Sequence, residues 1–118
     1  METVREILAR HGFSFKKQFG QNFITDTNLL RSIVDLAGTD KETSVLEIGC
    51  GAGTLTREIA EAAKSVLAFE IDEKLAPILR ETLRDCPNAK VVFRDFLKTD
   101  LKTLEQQLPD YTVIANLP

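Results

Sequence analysis

Tryptophan is absent from this 118-residue chain, and methionine, tyrosine and histidine occur once each. Two cysteines, Cys50 and Cys86, stand far apart with no CxxC spacing. That argues against a disulfide framework or a zinc site and suits a reducing compartment. His11 has no partner at metal or triad spacing, so it reads as surface and no metal is expected. No apolar run nears the roughly 20 residues that span a bilayer. Met1 to Arg10 is charged and helical in pattern, without the apolar stretch of a signal peptide. The expectation is a cytoplasmic protein with no membrane partner. Strong charge of either sign is missing too, the net being −3. Residues 1–31 carry +2 and the remainder −5, which suits a solvated helix as well as an RNA-facing edge.

What is present is alternation. Apolar spacing at Val4, Ile7 and Leu8 predicts a first helix. Leu29, Leu30, Ile33, Val34 and Ala37 predict a second, capped by Thr25, Asp26 or Thr27 and stopped by Gly38. Short apolar runs at Ser44–Ile48, Val66–Ile71, Lys90–Phe93 and Tyr111–Ala115 read as strands. Helices are expected over Leu55–Ala63, Glu73–Arg84 and Leu101–Leu108. Pro77 fits a first helical turn and costs about 3 kcal/mol deeper in, so the Glu73–Arg84 helix should start late, near Ala76. Strands and helices at this spacing give an α/β fold with a parallel sheet and helices on both faces. Residues 1–40 form an N-terminal extension and 41–118 a βαβ core. Ligands in such folds sit beyond the carboxyl ends of the strands.

Chemistry is therefore expected at the strand ends. The first is followed by Glu47-Ile-Gly-Cys-Gly-Ala-Gly53, where Gly49, Gly51 and Gly53 let the backbone turn and approach a ligand. The dinucleotide fingerprint is GxGxxG, but here the third glycine comes one residue early. Glu47 stands at the loop entrance, where a carboxylate repels pyrophosphate and suits a cation. S-adenosylmethionine is cationic and lacks phosphate, so it is favoured over a nicotinamide dinucleotide. The second strand ends in Glu70, at the distance that delivers an acid to ribose hydroxyls and able to accept from both at once. Asp72 reads as a cap for the next helix. After the third strand, Asp95 can accept from an adenine amino group, while Phe96 stays open between ring contact and core. After the fourth come Asn116, Leu117 and Pro118. The Asn116 carboxamide oxygen and the Leu117 carbonyl can each accept one hydrogen of an adenine amine, with Pro118 holding Leu117 extended. The plain alternative is a strand-to-loop turn. Cys50 and Tyr111 read as packing residues.

With Phe15-Lys-Lys-x-x-Gly-Gln-Asn-Phe23, these strand ends make the chain, from about Phe15 to Pro118, resemble the rRNA adenine N6-dimethyltransferases. It is most similar to bacterial members that dimethylate two adjacent adenosines near the 3′ end of 16S rRNA. The related macrolide-resistance methyltransferases of 23S rRNA share Gln-Asn-Phe but commonly read Asn-Ile-Pro where this chain has Asn-Leu-Pro. The resemblance implies a Rossmann-like class I S-adenosylmethionine-dependent methyltransferase fold, truncated here after the fourth parallel strand. It implies that Asn22 and Ile24 touch the cofactor's methionine side. Glu47, Gly49, Gly51 and Gly53 cradle the cofactor, Glu70 holds its ribose and Asp95 its adenine. Asn116 is shared between cofactor and target amine, and Gln21 borders the substrate entrance. The family motif continues with an aromatic after the proline, then more strands and a helical domain that contacts rRNA. The expectation for residues 1–118 is therefore a cofactor-binding portion without turnover, whose partner, 16S rRNA in the small ribosomal subunit, is met mainly elsewhere. A non-catalytic ribosome-assembly factor, a 23S enzyme and a dinucleotide oxidoreductase are the rival readings.

Overall fold

The computed structural model describes residues 2–12, 27–98 and 111–115. Four strands, β1 (Ser44–Ile48), β2 (Ser65–Glu70), β3 (Ala89–Phe93) and β4 (Tyr111–Ala115), pair in parallel in the order β3-β2-β1-β4. Their β-branched and aromatic residues suit a pleated, covered surface. From β1 the chain adds β2 and β3 outward on one side, and β4 on the other. The order thus reverses between β1 and β4, which opens a crevice at the carboxyl ends of those strands. Register sets that edge: Ile48 pairs with both Phe69 and Ala115, and Glu70 pairs with Phe93.

Alternation along the strands divides the core. Val45, Val66 and Ile114 pack with Leu30 and Val34 of α2 (Thr27–Leu36) and with Leu55 and Ile59 of α3 (Thr54–Ala62). On the same face, Ala68 lies in a cluster with Val4, Ile7 and Leu8 of α1 (Val4–Arg10) and Ile78 and Leu79 of α4 (Ala76–Thr82). Leu46 and Phe69 turn to the other face, beside Leu67, Val92, Phe96 and Tyr111. The four described helices thus cover one face. The expected helix over Leu101–Leu108 falls outside the described residues.

Helix ends follow their sequence signals. Thr3 caps α1, accepting from Glu6 N at 3.1 Å, while the Glu6 carboxylate accepts in return from Thr3 N at 3.4 Å. Pro77 sits in the first turn of α4, which starts at Ala76 after a 3₁₀ turn over Glu73–Leu75. Asp72 caps that turn, accepting from Lys74 N at 3.0 Å. His11 is less solitary than its spacing suggests. Its Nε2 lies 3.3 Å from Glu81 Oε1, beside Arg10, which bonds Glu2 and Glu81 and joins α1 to α4. The Arg10 guanidinium holds both carboxyls below the usual carboxylate range.

Asn88 closes the other end of α3. Its Nδ2 lies 2.9 Å from Ala60 O, 3.3 Å from Ala63 O and 3.4 Å from Lys64 O, carbonyls that have run out of helical donors. Asn88→Ala strips these acceptors and is expected to lower unfolding stability by about 1–2 kcal/mol. Urea denaturation checks this as a lower midpoint at unchanged slope.

Candidate functional site

Three groups converge at the carboxyl edge of β1 and β2: the glycine loop, the first turn of α3 and the Glu70 carboxylate. Gly49 N and Cys50 N both donate to Phe69 O, at 2.8 and 3.1 Å, which pins the loop to β2. Gly49, Gly51 and Gly53 all have positive φ, the left-handed region that L side chains rarely enter. Gly53 is also crowded, since a Cβ there would lie 2.9 Å from Leu79 Cδ2 and 3.1 Å from Thr82 Cγ2. The loop therefore closes onto α4, with Gly53 serving as the N-cap of α3.

Glu70 ends β2 nearly buried. Its Oε1 accepts from Gly51 N at 2.8 Å, and Oε2 accepts from Ile71 N and Asp72 N, each at 2.9 Å. A carboxylate offers about four acceptor positions. Three are committed to the backbone, leaving one on Oε1. This corrects the expectation that Glu70 receives two ribose hydroxyls at once, because its second oxygen is already saturated by amides. The same geometry bears on ligand charge. The Gly51 amide that a phosphate would seek is taken by a carboxylate. The nearest basic side chain on α3, Arg57, is turned away, its Nε on Thr82 O at 3.0 Å and its Nη1 on Glu2 O at 3.4 Å.

Glu47 also departs from its expected place. It lies on the helix-covered face of β1, fully buried, in register with Ala68 and Ile114. The Thr56 hydroxyl, from the first turn of α3, donates to its Oε1, and its Oε2 has no partner among the described residues. It supports the loop from beneath and does not line its mouth. The reason lies in strand alternation, which sends residue 47 to the same side as Val45. Burial pushes its carboxyl up to about 7, with the Glu70 charge adding to the rise and the Thr56 hydrogen bond opposing it. The folded value exceeds the ordinary 4.5, so the folded state holds the extra proton. The stabilisation this gives is complete below about pH 4.5 and is lost as pH rises through about 7, a swing of about 3 kcal/mol. Denaturant midpoints measured across that window should fall for the natural chain and stay flatter for Glu47→Gln.

Asp95 follows β3 and opens a 3₁₀ turn, Phe96–Lys98, in which Lys98 N donates to Asp95 O at 3.0 Å. Arg94 N donates to Glu70 O at 3.1 Å, so the β3 end is tied directly to the β2 end. Phe96 meets Phe69 edge to face with centroids 5.3 Å apart, which makes it a core residue. Cys50 is buried against α1, and burial pushes its thiol up, with Glu47 and Glu70 adding to the rise. It is a packed, neutral thiol. Tyr111 packs beside Leu46 and Phe69. One residue at this edge escaped the sequence reading. Ile71 is 71% exposed directly after Glu70, an apolar surface at the crevice. Its signal was an isoleucine one position past the last paired residue of β2, which reads equally well as strand.

The structure thus brings together Gly49, Gly51, Gly53 and Glu70, with Glu47 beneath them, and sets Asp95 after β3 on the same edge of the sheet. Gln21, Asn22, Ile24, Asn116, Leu117 and Pro118 lie outside the described residues. Among the described residues no group of His, Cys, Asp or Glu could hold a metal ion, and no helix is long and apolar enough to cross a membrane.

Comparison with known proteins adds to this geometry. The family model for ribosomal RNA adenine dimethylase matches residues 12–118. The chain is 58% identical, over 98% of its length, to ribosomal RNA small subunit methyltransferase A of Streptococcus mutans serotype c. It spans about 41% of the length of that relative. Among solved structures, a dimethyladenosine transferase from Plasmodium falciparum superposes with a TM-score of 0.63 at 29% identity, over 77% of this chain and 32% of that one. The 23S rRNA methyltransferase ErmE superposes with a TM-score of 0.61 at 43% identity, over 67% of this chain and 32% of that one.

Proposed function

We infer the function from one premise: the chain belongs to the ribosomal RNA adenine dimethylase family. On that premise a protein of the relatives' full length that carries this chain transfers methyl groups from S-adenosylmethionine to N6 of two adjacent adenosines near the 3′ end of 16S rRNA, in the small ribosomal subunit of the cytoplasm, and residues 1–118 supply the cofactor-binding part. One observation carries the cofactor reading. The crevice holds a buried carboxylate where a nucleotide phosphate would need donors, and Arg57, the nearest cation on α3, is bonded elsewhere. That arrangement fits a ligand with a ribose, a positive charge and no phosphate.

S-adenosylmethionine supplies a methyl group on a positively charged sulfur. Glu70 receives a ribose hydroxyl at its remaining acceptor position, and Asp95 accepts from the adenine amine. Ile71 offers its apolar side chain to the adenine ring. Gly49, Gly51 and Gly53 admit close backbone approach. Asn22 and Ile24 meet the methionine end, and Gln21 borders the entry of the target base. Asn116 and the Leu117 carbonyl each take one hydrogen of the target amine, and Pro118 keeps Leu117 extended. Fixing both hydrogens leaves the nitrogen lone pair as the only free direction, so the protein works by positioning, with no strong base.

The 43% identity to ErmE supports a second reading, methylation of 23S rRNA. The higher identity and nearly complete coverage by the small-subunit relative favour 16S rRNA. Calorimetric titration tests the cofactor assignment. S-adenosylmethionine and S-adenosylhomocysteine are expected to bind, and NAD to give no saturable heat. The reverse selectivity would return the chain to the dinucleotide class.

A further inference from the structure

We propose that Glu47 is a positioning residue for the glycine loop whose ionisation is coupled to loop occupancy, so that a cationic cofactor binds with release of a proton. This rests on the reading that the loop takes S-adenosylmethionine.

Several observations meet at this carboxyl. It is fully buried, with one oxygen held by Thr56 Oγ1 and the other without a partner among the described residues. The groups that face it are known from each side. β2 offers Ala68 in register and the Glu70 carboxylate beyond it, and β4 offers Ile114. The loop offers the neutral Cys50 thiol, and α3 offers the Thr56 hydroxyl. None of these is a cation, and Arg57, next to Thr56, is spent on two carbonyls.

A carboxylate buried without a cation, close to a second carboxylate, is kept protonated by the cost of desolvating its charge. Glu70 is placed differently, with three backbone amides donating to its two oxygens. A sulfonium and an ammonium arriving above the loop supply the missing positive charge. The Glu47 O–H bond then breaks, the proton passes to solvent, and the carboxylate stays behind with its charge matched by the ligand. Thr56 carries the change outward. Its hydroxyl donates more strongly to a carboxylate than to a carboxyl, and its backbone belongs to the first turn of α3.

The test is calorimetry of the protein with S-adenosylmethionine at about pH 6, in phosphate and in bis-Tris, which both buffer there and differ widely in heat of ionisation. That pH lies below the titration of the ligand's own α-amino group at about 7.7–8.0 and above that of ordinary carboxyls at about 4. The expected result is a heat that differs between buffers by nearly one proton per ligand. Affinity should rise up to about tenfold per pH unit and level off near pH 7. Glu47→Gln should bind with no proton exchange and a flat pH profile. Thr56→Val, which removes only the hydroxyl, should move the levelling point to higher pH. Equal heats in both buffers overturn the proposal, as does proton release that persists in Glu47→Gln. Absence of any binding by the natural protein overturns the cofactor reading beneath it.

Discussion

Replacing Glu70 by alanine weakens S-adenosylmethionine binding by about 100-fold or more. The carboxylate accepts from Gly51 N, Ile71 N and Asp72 N, and so fixes the glycine loop and the turn after β2 together. Hydrogen bonds to a charged group are worth about 1.5–3 kcal/mol each, and their loss strands partly buried amides. A loss of about 2.7 kcal/mol in binding already equals 100-fold. The ribose contact proposed for Glu70 would be lost with the same substitution. Glutamine should fail almost as badly despite its shape. Its amide end would present N–H donors to backbone N–H donors, so only one end of the side chain can keep its bonds. Aspartate, one methylene shorter, should recover part of the affinity if the amides follow it. Calorimetry on the three variants measures this ordering directly. Retention of affinity in the glutamine variant would mean that the amides are dispensable to the site.

Gly53→Ala should lower unfolding stability by about 2–6 kcal/mol. Two costs add. Holding a non-glycine residue at φ 88° costs about 1–3 kcal/mol. Forcing its methyl to within 2.9 Å of Leu79 Cδ2 and 3.1 Å of Thr82 Cγ2 adds the cost of overpacking, about 1–3 kcal/mol. Gly38 separates the two contributions. It has φ 69°, but nothing lies within 4 Å of a Cβ built there. Gly38→Ala should therefore show the strain without the clash. Denaturant unfolding of both variants is the measurement, and the difference between them isolates the contact of the loop with α4. That contact has a consequence for function, because Gly53 is where the glycine loop becomes α3. A loop pushed off Leu79 and Thr82 should also bind cofactor less well than stability loss alone accounts for.

The fold was largely readable because its signals are local. Each described strand lies within about one residue of its apolar run, and Pro77 marked the late start of α4. That Glu70 and the glycine loop stand at strand ends was also legible, and parallel α/β topology makes those ends the expected place for ligands. What could not be read was orientation and prior commitment. Glu47 looked like a loop-mouth charge because it adjoins the glycines, but strand alternation turns it under α3. Glu70 looked free to bind two hydroxyls because sequence does not show which amides a carboxylate has already taken. The sequence around Phe96 suits either role, and only the edge-to-face contact with Phe69, distant in the chain, separates them. His11 seemed alone because Glu81 is 70 residues away in the chain and meets it only through the packing of α1 on α4. Ile71 passed as ordinary strand because exposure depends on where pairing with β3 stops.

The most direct measurement is nucleoside mass spectrometry of rRNA after immature small ribosomal subunits are incubated with isotopically labelled S-adenosylmethionine and a protein of the relatives' full length that carries this chain. The predicted result is labelled N6,N6-dimethyladenosine at two adjacent positions near the 3′ end of 16S rRNA. Label confined to 23S rRNA in a parallel incubation with large subunits, or label on any atom other than adenine N6, would contradict it.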